Sequence, residues 1–156
     1  MTAEIRAKIR KTKEALKSIG YIAANVSPGE FYDYMTGEIF SEDTTTLRDV
    51  LGNQFLMVHE LAEISELKKM GRAIDKRVIM ESPKTTIYEA HFMAMDLELK
   101  YALYEEDYFW IKVRLKQHKE SVLKDDSNLP ETLRPRGEGI FRKFMAIINK
   151  KNDAKQ

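Results

Sequence analysis

Cysteine is absent from the sequence, which excludes disulfide bonds, zinc sites built on thiolates, cysteine nucleophiles and most iron–sulfur clusters. Long apolar runs are absent as well. A membrane span needs about 18 consecutive apolar residues, whereas dense stretches such as residues 55–58 cover only a few residues. The first residues, 1–6, carry no apolar core of a secretory signal. Together these absences predict a cytoplasmic protein without a membrane partner.

Glycine is scarce and scattered. Gly37, Gly52 and Gly71 each stand alone, so the chain has no glycine-rich loop that could cradle a phosphate. It also lacks the nucleophile elbow of serine hydrolases. What is present is 156 residues, of which 43% are hydrophobic and 33% charged, proportions typical of a folded globular protein. We predict a single helical domain over residues 1–156, with residues 1–3 and 151–156 frayed.

Charge is segregated along the chain, although the formal net charge is only +1. Residues 30–66 contain nine acidic side chains against one base, Arg48. Both ends are basic, with six Lys and Arg against two Glu in residues 4–17 and six against one Glu in residues 134–151. Either these are solvated helix faces, or the acidic middle binds a cation and the basic ends meet an anionic substrate. The near-neutral total disfavours a nucleic-acid partner.

Apolar residues recur at helical spacing over most of the chain. The pattern predicts helices over residues 3–19 and 46–70, a helical region over 85–123, and a final amphipathic helix from residue 140. The long region must break, near residues 105–108, because one rod of about forty residues would be about 60 Å long. The predicted fold class is therefore all-α, a helical bundle of about five helices.

The segments between these helices carry turn signals. Residues 21–45 combine a Ser-Pro-Gly signal with a loosely alternating stretch, which predicts a short irregular or hairpin excursion. Residues 72–83 are predicted to be a connection with a short apolar anchor. Residues 125–139, rich in Pro, Gly and Asp, are predicted to be a loop. The basic end of that loop is either a surface turn or an anion-binding approach to the last helix.

The three histidines are His59, His91 and His118. On a helical projection of residues 46–70, His59 forms a polar stripe with Glu63 and Glu66, flanked by apolar positions. In the next helical region His91 shares a face with Glu98, lined by small alanines. The opposite side of that region, predicted to be solvated, carries Glu89, Asp96, Arg114 and His118.

Antiparallel packing of these two helices places His59 level with Glu98, and Glu66 level with His91. Two imidazoles and several carboxylates then converge on one seam, and such mixed nitrogen and oxygen ligands suit Zn, Mn or Fe. The sequence therefore predicts a divalent-metal site with ligands His59, Glu63, His91 and Glu98. Glu66 is expected to be a further ligand or to hydrogen-bond to one.

Two function classes fit this pattern. The first is a metal-dependent hydrolase for a phosphate-containing small molecule, in which Glu60 or Glu66 accepts a proton from metal-bound water. The second is a non-catalytic interaction module, with homo-oligomers as an option, whose His and Glu side chains form a structural network. The metalloprotease pattern His-Glu-x-x-His is not met, because Glu63 stands where the second histidine is needed.

Overall fold

The structure, a computed structural model, describes residues 1–41 and 43–154. Every regular element in these residues is helical, which confirms the all-α prediction. A π-helical segment, His118–Lys124, and a 3₁₀ turn, Glu131–Leu133, lie between the last two α-helices. The α-helices, more numerous than the five or so predicted, are α1 (Thr2–Ser18), α2 (Pro28–Thr36), α3 (Leu47–Leu51), α4 (Gln54–Lys69), α5 (Val78–Glu81), α6 (Lys84–Tyr104), α7 (Tyr108–Gln117) and α8 (Arg134–Ala154).

Helices α4 and α6 form the central pair of the bundle. Their side chains meet in descending register, His59 with Glu98 and Glu63 with His91, so the two helices run antiparallel as predicted. Fully buried alanines on α6, such as Ala94, allow the close approach. Helices α1 and α2 pack on one side of this pair, and α7 and α8 on the other.

The predicted hairpin over residues 21–45 is wrong, because residues 28–36 form helix α2. The Ser-Pro-Gly signal is a helix start. Ser27 Oγ accepts a hydrogen bond from the Glu30 backbone N–H at 3.0 Å, and the Glu30 carboxylate accepts one from the Ser27 N–H at 3.0 Å. Pro28 suits the first helical position because its missing N–H would have no helical partner there.

The prediction of a single helix over residues 46–70 is wrong as well. It begins as expected, with Thr46 capping the chain, but it ends at Leu51 and restarts at Gln54. The Asn53 side chain accepts hydrogen bonds from the N–H groups of Phe55 and Leu56 at 2.9 and 3.1 Å, which makes it the cap of a new helix. The predicted break near residues 105–108 is confirmed, with Glu106 in the left-handed region (φ 58°).

At the C-terminal end, the loop predicted over residues 125–139 ends early, because α8 begins at Arg134. Gly137 lies in this helix against the ring of Phe92 and the side chain of Leu123, where a Cβ would lie 3.0 Å from both. Residues 2, 3 and 151–154, expected to fray, are helical, and residues 155–156 lie outside the described residues. No helix in the described part of the chain is long and apolar enough to cross a membrane.

Candidate metal centre

Three predicted ligands converge where α4 faces α6. Glu63 Oε2 lies 3.1 Å from His59 Nε2 and 3.4 Å from His91 Nδ1. Each of the three side chains offers a ligand atom within 4.8 Å of the others. Their side chains are 4%, 12% and 28% exposed for His59, Glu63 and His91 respectively, so the cluster is nearly closed and opens on the His91 side.

Helical geometry explains why one helix supplies two of these groups. His59 and Glu63 are four residues apart on α4, and side chains at that spacing lie one above the other on the same face. His91 reaches them from α6, with its ring centroid 5.1 Å from that of His59. The sequence periodicity was sufficient to place all three on the seam.

The structure places Glu98 at the other nitrogen of the His59 ring, away from the converging ligand atoms. Its Oε1 is 2.8 Å from His59 Nδ1. The same carboxylate, fully buried, accepts hydrogen bonds from Arg114 Nε and Nη2 at 2.7 and 2.9 Å and from Trp110 Nε1 at 2.7 Å. Glu98 therefore fixes the orientation of the His59 ring instead of joining the triad.

Arg114 was predicted to be solvated, and that prediction is wrong. The helical projection assumed one continuous phase past residue 105, whereas the chain turns at Glu106 and α7 starts with a new phase. Asp107 caps α7 by accepting a hydrogen bond from the Trp110 N–H at 3.0 Å. This turn brings Trp110 and Arg114 back over α6, where they reach Glu98.

Glu66, expected level with His91, lies elsewhere. Its Oε2 accepts a hydrogen bond from the Tyr21 hydroxyl at 2.5 Å and lies 3.9 Å from Lys69 Nζ. The predicted pairing with His91 is wrong, because His91 meets Glu63, one helical turn earlier on α4. Tyr21 belongs to the segment after α1, which the helical projection did not include.

Glu60, the other candidate proton acceptor, has no hydrogen-bond or ion-pair partner among the described residues. Burial and the negative charge of Glu63 raise its pKa to about 8, although the charges of His59 and Arg114 act in the opposite direction. The charge of Asp43 adds to the increase. Glu60 thus sits close enough to the triad to feel its charge while its own oxygens remain uncommitted.

Tyr34 is a member of the site that the sequence did not reveal. It is buried on α2, and its hydroxyl donates a hydrogen bond to Glu63 Oε1. That bond leaves Glu63 Oε2 to face the two imidazoles. Burial, together with the negative charges of Glu63 and Glu60, raises the pKa of Tyr34 well above its usual value. No sequence signal identifies Tyr34, because the stretch that contains it is predicted to be a hairpin or irregular.

The ionisation states of the triad depend on one another. Burial lowers the pKa of His59, but its hydrogen bonds to Glu63 and Glu98 and their negative charges outweigh burial and raise the pKa to about 10. Burial raises the pKa of Glu98, yet His59 and Arg114 lower it to about 2. For Glu63 the two imidazoles likewise outweigh burial and hold the pKa far below its usual range. Glu63 and Glu98 therefore share the positive charge of one imidazolium, that of His59.

His118 was expected on the solvated side and is instead only 3% exposed. Its Nε2 lies 2.9 Å from the carbonyl oxygen of Gly137, and its ring stands edge-on to Phe92. The turn at Glu106 changes the helical phase of α7, which leads directly to His118, so the projection placed His118 on the wrong face. Burial lowers its pKa to about 4, and it takes no part in the triad.

Comparisons with known proteins return no match. No family model fits the chain, and no curated protein or solved structure is significantly similar to it. The geometry of the cluster around Glu63 is therefore the basis for a functional assignment.

Proposed function

We propose that this protein binds one divalent metal ion through His59 Nε2, Glu63 Oε2 and His91 Nδ1. The supporting observation is the spacing of these atoms. A tetrahedral ion with bonds of about 2.0–2.1 Å has its ligand atoms about 3.3–3.4 Å apart, and Glu63 Oε2 lies 3.1 and 3.4 Å from the two nitrogens. The ligand set, two imidazoles and one carboxylate, suits Zn, Mn or Fe.

The surroundings support the same proposal. Metal-binding histidines usually donate their second ring N–H to a carboxylate or a carbonyl, which fixes the tautomer and strengthens the ligand. Glu98 occupies that position behind His59 and is itself fixed by Arg114 and Trp110. Tyr34 supports Glu63 in a similar way. In this proposal Glu98, predicted as a ligand, orients a ligand.

For the reaction class we propose metal-assisted hydrolysis. Three protein ligands leave a coordination position for water, and a bound ion lowers the pKa of such water towards about 7. Glu60, whose pKa is raised to about 8 and which has no hydrogen-bond or ion-pair partner among the described residues, would accept the proton once the charge of a bound ion had lowered that pKa. Glu66 is committed to Tyr21 and has no such role. If the substrate is a phosphate-containing small molecule, the ion would have to neutralise its negative charge. The site has several carboxylates of its own and one guanidinium, that of Arg114.

A second candidate, a non-catalytic module with a structural His/Glu network, is supported by the hydrogen bonds of His59. Each nitrogen of His59 faces a carboxylate, Glu98 at 2.8 Å and Glu63 at 3.1 Å. A protonated imidazole held between two carboxylates satisfies both buried acids without an ion. The two candidates therefore differ in whether a metal displaces that proton.

Titration of chelator-treated protein with Zn²⁺ and Mn²⁺, followed by calorimetry in two buffers of different ionisation enthalpy, separates the candidates. The metal site predicts one ion per chain, with about one proton released near neutral pH, because His59 must lose its proton to bind. His91→Ala should weaken binding at least about 100-fold. His118→Gln is the matched control, since His118 lies outside the triad. Absence of stoichiometric uptake by the wild type would leave the structural network as the function of these residues.

A further inference from the structure

A second concave site lies between α1, the start of α2 and the end of α4. It has a volume of about 420 Å³, within the range of small-molecule sites. We call it the α1/α2 groove. Its charged lining comes from Arg6, Arg10 and Lys13 of α1, Lys68 of α4 and Glu30 of α2.

Three of the six cations of α1 line this groove. Arg6 and Arg10 are four residues apart and Lys13 follows three residues later, so they lie along one face of the helix. Neither guanidinium has a hydrogen-bond or ion-pair partner among the described residues. Lys13 Nζ donates only to the neutral side chain of Asn25, at 3.1 Å. Three positive charges therefore face the groove with no carboxylate bound to them.

Glu30, the single acid of the groove, is already engaged. Its carboxylate lies 2.9 Å from Lys68 Nζ and also accepts a hydrogen bond from the Ser27 N–H at 3.0 Å. Burial alone raises its pKa, but the bonds to Ser27 and Lys68 lower it below the usual value. Glu30 thus neutralises Lys68 and leaves the charges of α1 uncompensated.

Like charges four residues apart on a helix repel each other, and here Arg6 and Arg10 converge on a concavity. Ile9 and Val26, both nearly buried, form the apolar part of the groove wall. A small anion with several oxygens would satisfy the unpaired donors, because guanidinium groups bind phosphate in a bidentate manner.

We propose that the α1/α2 groove binds a phosphorylated small molecule, with its phosphate held by Arg6, Arg10 and Lys13. A small ligand fits better than a nucleic acid because the groove has a volume of about 420 Å³ and only three of its lining cations have no carboxylate partner among the described residues. The proposal does not depend on the metal centre.

Calorimetric titration of chelator-treated protein with inorganic pyrophosphate tests it. The wild type should bind one pyrophosphate saturably, with an affinity that falls as salt rises. The double variant Arg6→Gln/Arg10→Gln should lose at least about tenfold in affinity. The control Lys8→Gln/Lys11→Gln removes two charges from another face of the same helix, where neither side chain lines the groove, and should stay within about twofold of the wild type.

Three results would overturn the proposal: no saturable binding by the wild type, an equal loss in both double variants, or an oligothymidylate that binds more tightly than pyrophosphate. The second would show a response to net charge alone, and the third a nucleic-acid surface. Circular dichroism checks that the variants remain helical. Should the arginine double variant unfold, Arg10→Gln against Lys11→Gln gives the same comparison with one charge removed.

Discussion

His59 Nδ1 lies 2.8 Å from Glu98 Oε1, across the seam between α4 and α6. The ring is held from behind by this bond while its Nε2 faces Glu63 at 3.1 Å. Glu98 is in turn fixed by Arg114 and Trp110 from α7. A relay of buried polar groups thus connects α7 to the candidate metal centre, and each member can be tested separately.

Replacing Glu98 with Gln should weaken metal binding and destabilise the fold. The amide keeps the shape of the carboxylate but removes its charge, so it leaves Arg114 without its ionic partner in a mostly buried position. We expect metal affinity to fall about 10–100-fold and the free energy of unfolding to fall by about 2–4 kcal/mol. Metal titration and urea unfolding measure the two effects.

The matched control for this change is Glu89→Gln, on the exposed face of the same helix. It should alter the free energy of unfolding by no more than about 0.5 kcal/mol and leave metal affinity unchanged. If Glu98→Gln kept wild-type metal affinity, Glu98 would have no role in orienting His59.

Tyr34→Phe should have a smaller effect of the same kind. The change removes only the hydroxyl that donates to Glu63, so the ring still fills its place in the core. We expect a loss of about 1–2 kcal/mol in the free energy of unfolding, together with weaker metal binding. Tyr32→Phe, at a 41% exposed position on the same helix, should be neutral in both measurements, and equal behaviour of the two variants would contradict the assigned role of Tyr34.

The part of the site that helical periodicity determines was predictable from the sequence. The spacing of His59 and Glu63, and the antiparallel register that brings His59 to Glu98, follow from two long helices with polar positions on their apolar faces. The pairing of Glu66 with His91 failed because the register was shifted by about one turn at that end of the seam. A helical projection does not reveal such a shift, because it does not include side chains from other segments. Here the Tyr21 hydroxyl binds Glu66 in place of His91.

The rest required tertiary information. Tyr34 reaches Glu63 only because residues 28–36 are helical, and the capping box at Ser27 was mistaken for a turn. Arg114 and His118 were misplaced because both follow the turn at Glu106, where the helical phase changes. Phase errors accumulate along a projection, so residues beyond an interruption cannot be assigned to a face.

Acid should destabilise the protein through His118. Its folded-state pKa, about 4, lies below the 6.5 of an exposed histidine, so the unfolded chain takes up the proton first as pH falls. The stability associated with neutral His118 is present above pH 6.5 and is lost between about 6.5 and 4. By pH 4.5 the wild type should lose about 2–3 kcal/mol from this group.

The variant His118→Gln isolates the effect, because its amide can still donate to the Gly137 carbonyl but does not titrate. The stability difference between wild type and variant, from urea unfolding with chelator at pH 7 and pH 4.5, should shift by about 2–3 kcal/mol in favour of the variant at low pH. A difference that is the same at both pH values would mean that His118 is not buried in its neutral form.

Two glycines of α8 should respond in opposite ways to the same substitution. A Cβ at Gly137 would lie 3.0 Å from both Phe92 Cζ and Leu123 Cδ2, closer than an ordinary van der Waals contact, and the Phe92 ring is fully buried. Gly137→Ala should therefore lower the free energy of unfolding by about 1–2 kcal/mol, because overpacking outweighs the gain in helix propensity.

Gly139 has nothing within 4 Å of such a Cβ, so Gly139→Ala should raise the free energy of unfolding by about 0.5–1 kcal/mol. Thermal unfolding of both variants measures the contrast. Because a flexible loop over residues 134–139 would tolerate both changes alike, equal melting temperatures would contradict the early start of α8.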